Sequence, residues 1–494
     1  MRKCFGVIGL AWALLAAVAV FAEEADLADA PPATVEVLTE RAEAGDASAM
    51  VELGDRYEEG DGVAEDAAVA FGWYTRAAEA GDAVGMRRVA WCLEFGRGVE
   101  KDDVAAVVWL RRAAALGDGD AMRLIGLAFQ HGRGVEQDLA EAVRWYERSV
   151  EAGDVWGMAS LARMYEMGRG VEQDGPRAIE LYKSAAEAGD EVGLIGVASV
   201  YHHGHGVERD GALALEWYLK AVDEGEPLAM HHIGLMYANG EGVDEDDVKA
   251  IVWFRRGAEA GYAESMTSLG WMYGRGEGVE KDLGESVRWY RRGAEAGDER
   301  AMFNLALSYE DGLGVAKDAA AAVRWYRRGA EAGDASAMHS LGWMYHHGSG
   351  TTEDYAEAFE WYRRAAEAGN PYGMNSLGYM YQWGSGVAQD NAEAVRWYRR
   401  AAEAGHALGA ANLGRMYDDG AGVEEDDAEA VRWYRRAAEA GDTGGMYNLA
   451  EMYEKGMGVA VDHSAAARWY RLASEAGNEE AQAWMEERGA EWRE

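Results

Sequence analysis

Hydrophobic and polar positions alternate along most of this chain with a helical period broken by glycine. In the stretch from Gly333 to Gly369, Met338, Leu341, Gly342 and Tyr345 fall at i, i+3, i+4 and i+7, the spacing of one buried face of an α-helix. Asp334 stands where an N-cap would, its carboxylate placed to accept from the free N–H groups of the first turn. Gly348 ends that helix and Gly350 permits a tight turn. Asp354 with Glu357 has the capping-box spacing and opens a second helix carrying Ala358, Trp361, Tyr362, Ala365 and Ala366. Gly369 closes it. The stretch predicts an antiparallel helix pair, each helix about 13 residues and roughly 20 Å long.

The same stretch recurs. Ala-Glu-Ala-Gly or a close variant places a glycine every 36 residues from Gly45 to Gly477, giving twelve units without insertion. The Asp354 position is aspartate in all twelve, from Asp66 to Asp462, and the Trp361 position is tryptophan in all but Leu181. Pro227 and Pro371 fall in the first turn of a first helix and Pro176 in that of a second, where a missing N–H costs least. Residues 34–44 read as a lone helix covering the first unit, with Pro31-Pro32 ahead of it. Residues 478–494 read as a last helix and tail, polar on the outer side. Twelve units therefore occupy 46–477, and the unbroken beat leaves no linker at which to place a hinge.

Composition narrows the function. Of 494 residues, 48 are Lys or Arg and 88 Asp or Glu, a formal charge of −40. Such a surface repels phosphate backbones and anionic membranes, which excludes nucleic acid as a partner. With 49% hydrophobic residues the chain is not disordered. Arg2 and Lys3 precede an apolar run from Phe5 to Phe21, and Val20-Phe21-Ala22 offers small residues before Glu23. This reads as a signal peptide over 1–22, cleaved after Ala22, with 23–33 a short connecting segment and no membrane insertion afterwards. Cys4 leaves with it, so Cys92 remains alone and the fold stands on packing without a disulfide.

The unit Met-x-x-Leu-Gly-x-Met-Tyr-x-x-Gly-x-Gly-Val-x-x-Asp, followed by Ala-Val-x-Trp-Tyr-Arg-Arg-Ala-Ala-Glu-Ala-Gly, resembles the Sel1-like repeat, a relative of the tetratricopeptide repeat. The glycine loop and the 36-residue period separate it from the 34-residue relative. Departures are few: Leu93 and Leu110 replace tyrosines, Thr351 the loop valine, and Ala410 a methionine. The resemblance implies an all-α, right-handed α-solenoid of twelve helix-turn-helix repeats with capping helices and a concave inner surface. It also implies an adaptor that assembles other proteins.

Catalytic signatures are missing. One cysteine-rich branch of the similar family is associated with β-lactam hydrolysis, but no Ser-x-x-Lys, Gly-x-Ser-x-Gly or His-Glu-x-x-His occurs here. The sequence predicts no enzyme, no cofactor and no metal site. His202, His203 and His205 with His231 and His232, and His339 with His346 and His347, form two clusters. Stacked helices set them out of step for zinc, so they read as polar surface. The acidic loops lack the alternating ligands of a calcium hand. The Trp-Tyr pairs read as core, and the Arg-Arg pairs as charge ladders with the Glu of each Glu-Ala-Gly.

Positions three, seven, ten and fourteen after each capping glycine share one face of the first helix, and the resemblance turns that face into the groove. Read along the chain they give Trp156, Arg163, His203, His232, Trp271, Trp343, His347, Tyr372, Tyr379, Trp383 and Arg415 as the candidate partner-binding set. Trp, Tyr and Arg are the side chains that anchor protein interfaces. Five of the six aromatics lie from Trp271 onward, which places the main contact surface between Gly261 and Gly405. The competing reading has these side chains wedged between adjacent helices. The expectation is a secreted, periplasmic or extracellular bacterial scaffold that binds protein or peptide. A polysaccharide-binding or export scaffold is the alternative, and a cell-wall or β-lactam-active enzyme the third class.

Overall fold

The computed structural model describes residues 34–488, which divide into two compact units within 1–224 and 225–494. The leader over 1–22, the segment 23–33 and residues 489–494 lie outside the described residues. Among the described residues there are 26 helices and no strand. The first unit holds the lone helix Val35–Glu43 and repeats 1–5, and the second holds repeats 6–12 and the closing helix Glu479–Arg488. Nearly every repeat is a pair of 13-residue helices, as in Ala335–His347 followed by Tyr355–Glu367 in repeat 9.

The helix ends are set by aspartate. In repeat 9 the Asp354 carboxylate accepts from the N–H groups of Ala356 and Glu357, both at 3.0 Å. Its own N–H donates to the Tyr345 carbonyl at 2.9 Å. That bond corrects the expected capping box, because the N–H that a box would give to Glu357 already has a backbone partner. The arrangement recurs from Asp66 on Tyr57, at 2.8 Å, to Asp462 on Tyr453, at 3.0 Å. One residue thus starts the second helix and ties it to the last turn of the first.

The loop between the helices settles repeat on repeat. Gly350 has φ +69°, and a Cβ there would lie inside the carbonyl of Ala319, the first residue of the preceding repeat's second helix, Ala319–Ala332. Gly98 meets Ala67 in the same way, and Gly386 meets Tyr355. Both a left-handed backbone and a missing side chain are required there.

Inside a repeat, a tyrosine ring crosses a glycine. A Cβ on Gly342 would stand 2.7 Å from the ring of Tyr362, and one on Gly378 2.8 Å from Tyr398. These tyrosines are core, each ring contributing about 2 kcal/mol by burial, with Tyr146, Tyr326, Tyr398 and Tyr434 at most 1% exposed. The hydroxyl donates back to the first helix: Tyr146 to Gln130, Tyr182 to Glu166, Tyr326 to Glu310, Tyr398 to Gln382 and Tyr470 to Glu454, at 2.7–2.8 Å.

The neighbouring tryptophans are mostly half-buried, and their outer faces are covered by arginine. Arg256 stands 4.3 Å from the Trp253 ring centre, and Arg400 4.3 Å from that of Trp397. In five of the six pairs the other arginine reaches the next repeat, as Arg255 does to the Tyr273 hydroxyl at 2.8 Å and Arg435 to Tyr453 at 2.7 Å. This corrects the expected charge ladder, which only Arg363 follows, bonding Glu360 and Glu367 at 2.6 and 2.8 Å. A guanidinium stacked on a ring keeps its hydration on one side, whereas an exposed ion pair gains little in water.

Both end helices pack as expected. Leu38 and Ala42 are fully buried, and Trp484 stacks on Tyr470 at 4.0 Å while Gln482, Glu486 and Glu487 stay exposed. Cys92 is buried and unpaired, and burial pushes its thiol up to about 12, which keeps it protonated and unreactive.

Two glycines separate the roles of backbone and space. Gly333 has φ +111°, and a Cβ added there would meet nothing within 4 Å. Gly333→Ala will cost about 1–2 kcal/mol, from backbone strain alone. Gly350→Ala adds the collision with Ala319 and will cost several kcal/mol more, read as the shift of the urea unfolding midpoint.

Candidate partner-binding face

Ten of the eleven residues in the candidate set are exposed; His232 is half-buried. Trp156 and Trp383 show 60% and 59% of their surface, so these rings are not wedged between helices.

In the second unit, repeats 9 and 10 bring four of them together. Trp343 stacks on His347 with ring centres 4.3 Å apart and planes 27° from parallel. The His347 Nδ1–H donates to the Trp343 carbonyl at 3.0 Å, which fixes the tautomer and the stack. Tyr379 and Trp383 lie one turn apart on the next first helix, Pro371–Trp383, with centres 6.2 Å apart. His346 joins the two pairs, 4.8 Å from His347 and 6.0 Å from Tyr379, and meets the edge of Tyr355 at 5.2 Å. Burial, and then His347, lower the pKa of His346. The bridge is a neutral aromatic ring at pH 7.

Tyr372 stands beside this patch over an open depression of about 640 Å³. Its ring meets the edge of His406 at 4.7 Å and lies 5.9 Å from His339. His339 is held against Tyr362 and within 3.3 Å of the Ser376 hydroxyl. His406 caps the helix Ala407–Asp418, its Nδ1 accepting the Gly409 N–H at 2.9 Å. That bond requires a neutral imidazole with its proton on Nε2. Burial lowers both histidines, His339 to about 4.

The remaining candidates stand apart. Trp271 carries Arg275 over its ring at 4.8 Å, and Arg415 bonds Asn412 at 3.2 Å. Trp156 carries Arg123 over its ring at 5.8 Å, and His203 lies 5.2 Å from His205, both in the first unit. Among the described residues no three His, Cys, Asp or Glu side chains are grouped as metal ligands would be.

Comparison with known proteins decides the family. The Sel1 repeat matches twelve times, at residues 47–82, 83–118, 119–154, 157–190, 192–226, 227–262, 263–298, 299–334, 335–370, 371–406, 407–442 and 444–478. The chain belongs to the Sel1 repeat family. A protective antigen of uropathogenic Escherichia coli strains, displaying an SLR fold, is 34% identical over 92% of this chain and 97% of its own, with a TM-score of 0.52. A Sel1 repeat protein from Oxalobacter formigenes is 29% identical over 63% of this chain and 90% of its own, with a TM-score of 0.50. No curated protein matches the chain. Sel1 repeat proteins are repeat scaffolds that typically mediate protein interactions. No helix among the described residues is long and apolar enough to cross a membrane.

In this Sel1 repeat chain the exposed rings extend beyond the expected set. Tyr355 and His346 complete the aromatic patch, though neither occupies one of the four groove positions. Trp91 and Phe95 do occupy the tenth and fourteenth positions after Gly81, are 38% and 59% exposed, and lie 5.8 Å apart. The spacing rule that selects Trp343 selects them equally.

Burial of His339 and His406 has a consequence for pH. Their folded pKa values lie below the ordinary 6.5, so unfolding takes up protons once the pH falls beneath that value. Their contribution is complete above pH 6.5 and is lost as pH falls toward 4, on the order of 2–3 kcal/mol for His339. Thermal unfolding will show a midpoint falling across that window, and His339→Gln will flatten the slope relative to the parent.

Proposed function

We propose that this Sel1 repeat protein is a non-catalytic scaffold of the bacterial envelope. In this reading, residues 1–22 are a cleaved leader, and the mature chain binds a protein or peptide through the exposed face of its first helices. The contiguous ring patch of Trp343, His347, Tyr379 and Trp383, bridged by His346, carries the reading. Large flat side chains left open to water gain most when a partner covers them, and they lose little conformational freedom in doing so. A patch so rich in aromatics is dear to keep exposed unless something docks there. The leader pattern and the bacterial sources of the similar structures support the location.

The test is capture of envelope proteins by the mature chain, beside a Trp343→Ala/Trp383→Ala variant and a Trp156→Ala variant. Far-ultraviolet circular dichroism will show the same helix content for all three, since none of the replaced rings is buried in the core. A partner retained by the parent and by Trp156→Ala will be weakened at least about tenfold by the double variant, as for an interface anchor. Identical sets on all baits would refute the patch. Loss of a bound glycan with protein capture unchanged would move the assignment to polysaccharide.

A further inference from the structure

Repeat 2 departs from its neighbours where the crossing tyrosine should be. Leu110 takes the tyrosine's place on the second helix, Asp103–Ala115, and Ala90 takes that of the glycine beneath it. Leucine is shorter than tyrosine, and beside it lies a partly open pocket of about 240 Å³ lined by Val107, Leu110, Leu124 and Leu127 together with Arg87, Asp103 and Arg133, with Trp91 and Phe95 in its wall. A dry apolar cavity of roughly 150 Å³ holds a benzene ring. This one has room for a six-membered ring and its attachment.

Glu94 also lines the cavity. It sits thirteen residues after Gly81, the position from which Gln130, Glu166, Glu310, Gln382, Asp418 and Glu454 accept a tyrosine hydroxyl in other repeats. Repeat 6 has neither member, with Phe254 for the tyrosine and Ala238 opposite, whereas repeat 1 keeps Glu58 on Arg97 while its Tyr74 hydroxyl donates to Asp55. Repeat 2 has lost the donor and kept the carboxylate. The Glu94 Oε1 accepts from Arg133 of the next repeat, which does not use up the group. Glu166 bonds both His205, through Oε1 at 3.0 Å, and the Tyr182 hydroxyl, through Oε2 at 2.8 Å.

We infer that the cavity beside Leu110 receives a tyrosine side chain from a partner polypeptide, its hydroxyl donating to Glu94 in place of the missing internal phenol. A polypeptide is favoured over a free phenol by Trp91 and Phe95. Both are exposed, and together they extend the apolar surface beyond what one ring covers. They hold the positions on their own first helix that Trp343 and His347 hold on theirs, so a chain lying along that helix would deliver the side chain. The occupant thus copies an interaction that the fold already makes in six of its own repeats.

The experiment is calorimetric titration of the mature chain with the blocked pentapeptide acetyl-Gly-Gly-Tyr-Gly-Gly-amide, its phenylalanine counterpart, and phenol. The tyrosine peptide will bind with a dissociation constant on the order of 1 mM or tighter, as suits a ligand of that size. The phenylalanine peptide and phenol will each bind about tenfold more weakly, the first for want of the hydrogen bond. An Ala90→Gly/Leu110→Tyr variant restores the arrangement of the other repeats. It will raise the unfolding temperature by a few degrees and abolish binding of all three probes. Glu94→Leu, which leaves no acceptor where even a glutamine would serve, will keep the fold and remove the tyrosine preference. Binding that survives in the filled variant, a phenylalanine peptide bound as well as the tyrosine one, or phenol bound as well as the peptide would each overturn the assignment. So would absence of binding to the parent.

Discussion

The repeating aspartate is the joint on which each helix pair turns. With its carboxylate it closes the open N–H groups of the second helix, and with its N–H it holds the carbonyl at the end of the first. A hairpin of two short helices has little reason to form by itself in water, since helices of 13 residues are marginal alone. Fixing the angle between them at one residue lets the tyrosine ring reach across to its glycine. Capping, turn geometry and core packing therefore agree; the capping aspartate repeats twelve times and the crossing tyrosine ten.

Given this frame, most positions are committed to structure, and the variable ones stand out. The second-helix tyrosine and its acceptor on the first helix form a couple sixteen residues apart. Six repeats bond it so; repeat 1 uses Asp55 instead, repeat 7 has Gly274 at the acceptor position, repeat 6 changes both members, and repeat 2 loses the tyrosine. The exposed face of the first helices also varies from repeat to repeat. There the second unit gathers rings and the first unit scatters them.

Much of the fold is legible in the amino-acid sequence because each helix end carries its own chemistry. Asp334, Gly348, Asp354 and Gly369 mark four boundaries without reference to anything distant, and the structure places helix ends beside each of them. The arginine pairs are less legible. Arg255 and Arg363 hold the same place in the repeat, each four residues before a glutamate, yet Arg255 reaches Tyr273 while Arg363 bonds Glu360 and Glu367. The binding face is intermediate. Exposure of Trp343 and Trp383 follows from the helical period, but their junction through His346 depends on ring orientations that spacing does not contain. His406 as a helix cap was hidden for a different reason, since a histidine in that place looks like any other surface residue.

The loop glycine seated on the preceding helix has an evolutionary side. A loop one residue longer would lift the next repeat off its neighbour, and any side chain in that seat would do the same. Small insertions are therefore filtered out within each unit, and length can change without damage only through gain or loss of a whole 36-residue module. Recombination between near-identical stretches supplies such changes. Chain length is thereby quantised in steps of one helix pair, each step leaving the geometry of its neighbours' caps and turns untouched.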